Sequence, residues 1–91
     1  MNNARRKELA KIRGQVEELK GKLDDLMSAL EAIKDAEQES YDNMPESLQN
    51  GERGEKASEA ISTLDNASGS LESAVDQLEE VIEGIDEVIN A

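Results

Sequence analysis

From Leu9 onward the apolar residues of this chain advance by steps of three and four: Leu9, Ile12, Val16, Leu19, Leu23, Leu26, Leu30 and Ile33. A second run keeps the same alternation through Ala57, Ile61, Leu64, Ser68, Leu71, Val75, Leu78, Ile82, Ile85 and Ile89. Such spacing gathers the apolar side chains onto one stripe of an α-helix, and over three or more heptads it marks helices that pack along a seam. The pattern therefore predicts two long helices, at about 3–40 and about 54–90. Between them, at about 41–53, lie the only proline, Pro45, together with Gly51, Asn43 and Asn50. This is a turn. Pro45 lacks an N–H and restricts Met44 before it, while Pro45 to Leu48 can still form one short helical turn beginning near Asn43. Asn50 is the expected cap of the second helix.

Folding the chain back at the turn pairs Leu9 with Ile89, Ile12 with Ile85, Val16 with Ile82, Leu19 with Leu78, Leu23 with Val75, Leu26 with Leu71 and Ile33 with Leu64. The register never slips, as an antiparallel pair requires. The flanks agree independently, since Arg13 falls opposite Asp86, Lys20 opposite Glu79 and Lys34 opposite Asp65. The expected fold is all-α: a single long antiparallel two-helix coiled-coil hairpin spanning 1–91.

The second helix carries more apolar surface than one partner can cover. Ala60, Ala67, Ala74, Val81 and Val88 recur every seven residues beside its seam, and fall across from Ala36, Ala29, Lys22, Gln15 and Glu8. Helix propensity explains the alanines but not the two valines. An apolar face wider than a two-stranded seam belongs to a bundle, so a homo-oligomer is expected, most simply a two-fold dimer forming a four-helix bundle. The expected oligomer or partner interface is Ala60, Ala67, Ala74, Val81, Val88, Ala29 and Ala36. At the turn, Tyr41, Met44 and Leu48 are apolar in a polar segment; they close the weak end of the core or offer a tip to a partner.

Composition narrows the chemistry. The 91 residues include no Cys, no His, no Trp and no Phe, and Tyr41 is the one aromatic. Without His or Cys there is no imidazole base, no thiolate nucleophile and no ordinary zinc set, and a thin rod offers no pocket in which a carboxylate pKa could be raised. Pairs such as Asp24 with Asp25 or Glu79 with Glu80 read as solvated faces. Glu79, Glu83 and Asp86 share one helical face, but no loop adds the further oxygen ligands a hard cation needs. Gly51-Glu52-Arg53-Gly54 lacks the Lys-Ser that completes a phosphate loop. The expectation is a protein with no catalytic site, no metal and no cofactor. Gly14, Gly21 and Ser28, seven apart on the outside of the first helix, read as a chance spacing before a close contact or a tolerance for bending. No segment has the roughly 20 apolar residues of a membrane span. With no signal-like run and no Cys, the cytoplasm is the expected location.

The turn Tyr41-Asp42-Asn43-Met44-Pro45-Glu46-Ser47-Leu48-Gln49, followed by Glu52-Arg53-Gly54-Glu55, resembles that of small acidic helical proteins from bacterial phage and prophage genomes. The resemblance covers the turn and the acidic heptads after it, roughly the second half of the chain. It implies an origin in or near a mobile element and carries no activity or functional residue with it.

The expected function is therefore structural or adaptor-like, acting by self-assembly or by contact with another helical protein. The net charge of −12 supplies an alternative. After Lys56 there is no basic residue, so the second helix could mimic nucleic acid and inhibit a host enzyme of nucleic-acid processing or defence. Direct nucleic-acid binding through Arg5, Arg6, Lys7, Lys11 and Arg13 is disfavoured by the acidic helix beside them and by the lack of stacking aromatics.

Overall fold

A computed structural model describes the chain from Met1 to Ala91 and contains three helices and no strand. Helix α1 runs Asn3–Asp42, α2 is the single turn Glu46–Gln49, and α3 runs Glu52–Ile89. The two long helices lie antiparallel in a rod of 68 × 14 × 14 Å. The molecule is an all-α helical hairpin.

Both long helices extend slightly further toward the turn than the apolar pattern suggests. Asn2 starts α1, its side-chain oxygen accepting from the Arg5 N–H at 2.9 Å. Pro45 stands at the N-cap of α2, where its missing N–H costs nothing. Asn50 does not cap α3 as expected; its N–H donates to the Glu46 carbonyl and closes α2, while Gly51 takes the N-cap of α3 with no side-chain bond. The α1 end is secured from across the turn by Gln49, whose Nε2 donates to the Tyr41 carbonyl at 2.9 Å. That carbonyl is one of the helix-end acceptors with no partner inside α1's regular ladder.

Along α3 the seam is the expected one. Ala57, Ser68, Val75 and Ile82 are buried, and Ile61, Leu64, Leu71, Leu78, Ile85 and Ile89 are half-buried. On α1 only half of the expected seam faces inward. Leu9, Val16, Leu23 and Leu30 are half-buried, but Ile12, Leu19, Leu26 and Ile33 remain 46 to 60% exposed. The inward row beside Leu9 and Val16 is instead Arg13, Lys20, Met27, Lys34 and Tyr41, all half-buried. Helix α1 is thus rotated about its axis relative to the apolar pattern.

The rotation has a physical cause. Arg and Lys can lay their methylene stems along apolar surface while the charged tip reaches outward. Here the tips end on α3 carboxylates: Arg13 on Asp86, Lys20 Nζ on Glu79 at 2.8 Å and Lys34 Nζ on Asp65 at 3.1 Å. Arg6 extends the row, donating to the backbone oxygen of Ala91 at 3.2 Å. Ile12, Leu19, Leu26 and Ile33 therefore stand outside the seam, exposed instead of buried against their expected partners Ile85, Leu78, Leu71 and Leu64.

The interior is correspondingly thin. Only Ala57, Val75 and Ile82 are buried apolar residues, and no side chain is fully enclosed. Ser68, buried in the middle of the seam, donates its hydroxyl to the Glu31 carboxylate at 3.4 Å.

Candidate interaction surface

The ion pairs define one flank of the hairpin and, by elimination, the other. Consecutive residues on a helix are about 100° apart, so Ile12, Leu19, Leu26 and Ile33 point well away from the paired row that begins one position later at Arg13. On α3 the row of Ala60, Ala67, Ala74, Val81 and Val88 flanks the seam on the side away from Asp65, Glu79 and Asp86. In an antiparallel pair like flanks face like flanks. The exposed α1 row and the α3 stripe therefore share one side of the rod.

The register set by Arg13 with Asp86 and Lys34 with Asp65 also sets the levels. Val88 falls level with Ile12, Val81 with Leu19, Ala74 with Leu26 and Ala67 with Ile33. The result is a band two rows wide running most of the rod's length. Val81 and Val88 are 45% and 41% exposed, Ala60 and Ala67 are exposed, and Ala74 is half-buried. Ala29 and Ala36 lie exposed along the α1 margin of the same band. The α3 margin, Thr63, Ser70, Gln77 and Gly84, is exposed and uncharged.

Every expected interface residue thus belongs to one surface, and four larger ones join it. The three-four apolar period places Ile12, Leu19, Leu26 and Ile33 in the core because they are as apolar as the Leu9 row beside them. The contrary signal was present. Arg13, Lys20 and Lys34 were already matched across the hairpin, and a helix turned far enough to deliver that row inward carries the Ile12 row outward.

The opposite flank is electrostatic. The hydrogen bond to Asp86 raises the Arg13 pKa, that to Glu79 raises the Lys20 pKa and that to Asp65 raises the Lys34 pKa above their ordinary values. These cations stay charged throughout the neutral range. The pairs are solvent-accessible and therefore specify geometry more than they add stability. Beyond them, Asp76, Glu80, Glu83 and Glu87 form an exposed acidic strip on α3.

At the turn, Tyr41 and Met44 are half-buried and Leu48 is 41% exposed. Tyr41, Gln49, Ser58, Glu59 and Ser62 line a shallow open hollow there. No group of three or more carboxylates stands where it could hold a metal ion, and no helix is long and apolar enough to cross a membrane. Set against known proteins, the chain matches no family model, no curated protein and no solved structure.

Proposed function

We propose that this chain is a non-enzymatic structural or adaptor protein that acts by protein–protein contact, assembling with itself or another helical protein into a four-helix bundle. The carrying observation is the exposed band of Ile12, Leu19, Leu26, Ile33, Val81 and Val88 on a rod with almost no buried core. Large apolar side chains aligned over several heptads on one side of a helix pair are costly to leave in water, and contiguous patches of this kind mark interaction sites. A second hairpin supplies what the first lacks. The turn's resemblance to small phage and prophage proteins supports an origin in a mobile element and fits a role that needs no catalysis.

The test is the solution mass by light scattering behind a sizing column, at low and high salt, for the native chain and for Val81→Glu/Val88→Glu. The native chain is expected to run as a dimer or larger at both salts, and the double variant as a helical monomer. An unchanged assembly in the variant would sink this reading.

The exposed strip Asp76, Glu80, Glu83 and Glu87 favours a second reading, an acidic mimic that occupies a protein surface built for phosphates. Asp65, Glu79 and Asp86 do not join such a strip because they are engaged by α1. Capture of a nucleic-acid enzyme that weakens steeply with salt would support the mimic; salt-independent capture or none would count against it.

A further inference from the structure

We infer that the apolar band is covered by a second copy of this chain lying head to tail, with the two-fold axis crossing the rod near Ala74. The inference rests on the assembly reading above and adds to it the identity and direction of the partner.

Two hairpins stacked face to face can be related by a two-fold axis along the rod or across it. An axis along the rod puts turn against turn and lays α1 over the partner's α3. An axis across the rod puts each turn against the partner's open end, α1 over α1 and α3 over α3. Two features of the chain separate these arrangements.

The first is side-chain size. On α3 the exposed row is small near the turn, at Ala60 and Ala67, and larger near the open end, at Val81 and Val88. Inverting one α3 on another about Ala74 places Val88 over Ala60 and Val81 over Ala67, so each bulky residue meets a small one from the other copy. On α1 the same axis passes level with Leu26, so that Leu26 meets Leu26 of the other copy and Leu19 lies over its Ile33. One axis thus serves both helices. An axis along the rod instead sets Val88 over Ile12 at one end and Ala67 over Ile33 at the other, crowding the first and leaving the second underfilled.

The second is charge. From Lys34 to Asp65, the turn end, there are nine acidic residues and three basic. At the open end, Met1 to Arg13 with Glu79 to Ala91, there are six acidic and five basic. Turn against turn stacks the two strongly negative ends. Head to tail, each lies beside a nearly neutral one and near the basic residues that begin α1, which lowers the repulsion that a net charge of −12 imposes on association.

The chain has no cysteine, so one introduced thiol gives a unique label. Ser47 is exposed on α2, off the apolar band. A nitroxide on Ser47→Cys, read by pulsed electron–electron double resonance beside the light-scattering mass, measures the separation between the two turns. A dimer with a spin–spin distance close to the rod length of 68 Å is expected. A dimer with a distance of roughly 20–25 Å, two helix diameters, overturns the head-to-tail arrangement while leaving self-assembly intact. A monomer with no intermolecular distance overturns the assembly reading itself.

Discussion

Gly54 lies against the backbone of Gln49 so tightly that a Cβ on Gly54 would run into the Gln49 carbonyl. The obstacle is main chain and cannot swing aside, so α2 would have to lift away from α3. Gly54→Ala is expected to destabilise the hairpin by about 1–3 kcal/mol, the usual cost of overpacking. Gly51, in the same turn, meets only ordinary contacts at 3.6 and 3.7 Å and sits at an N-cap that lacks a side-chain acceptor. Gly51→Ser is expected to add a few tenths of a kcal/mol. Thermal melts followed by circular dichroism at one protein concentration test the opposite signs.

Four helical glycines have no such role. A Cβ at Gly14, Gly21, Gly69 or Gly84 meets nothing within 4 Å, and each backbone is already helical. Replacing any one with Ala is expected to stabilise the chain by about 0.5–1 kcal/mol, because the unfolded chain loses freedom that the helix never uses. No gain at Gly14 and Gly21 would show that the outer face of α1 makes a close contact in the assembled protein.

Leu23 and Leu26 are one helical turn apart and do different work. Leu23 is half-buried against α3, whereas Leu26 is 58% exposed. In dilute protein Leu23→Ala is expected to cost about 1–2 kcal/mol and Leu26→Ala less than about 0.5 kcal/mol. At concentrations where the chain associates, Leu26→Ala should also lower the melting temperature. Melts across a dilution series separate the two costs; equal effects of both variants at every dilution would contradict the rotation of α1.

The paired lysines give the hairpin an alkaline limit. Their pKa values are raised in the folded chain above the ordinary 10.5, so the stabilisation is fully present below 10.5 and is lost as pH rises through the higher folded values. The melting temperature should therefore fall on the alkaline side of 10.5. In Lys20→Met/Lys34→Met the fall should be shallower, and a titration with a fluorescence-independent readout such as circular dichroism checks it.

Much of this fold is legible in the sequence, and the part that is not has a definite cause. On α3 the larger apolar residues fill two adjacent rows and the Ala60 to Val88 row beside them is smaller, so the period gives its inner face. On α1 they fill the Leu9 row and the Ile12 row, while the third row holds Arg13, Lys20 and Lys34, which apolar counting scores as surface. Their long stems and α3 partners turn that row inward, a choice made by side-chain reach rather than by period. The turn was legible from Pro45 and Gly51, but its locks were not, because Gln49 reaching the Tyr41 carbonyl and Gly54 admitting α2 are contacts between segments with no sequence period. The Ala60 to Val88 stripe could be read directly; the Ile12 row beside it was hidden by being as apolar as a core.

The acidic row of α3 repeats every seven residues through Asp65, Glu72, Glu79 and Asp86. Sliding α3 by one heptad would still put Arg13 beside Glu79 and Lys20 beside Glu72, so the charges fix the phase of the two helices without fixing which heptad meets which. The short connection from Asn43 to Gly51 removes that ambiguity by acting as a ruler. Severing it, for example with a protease site at Asn50, would leave two peptides free to anneal in staggered registers with overhanging ends, turning a closed hairpin into a unit able to join end to end into fibres.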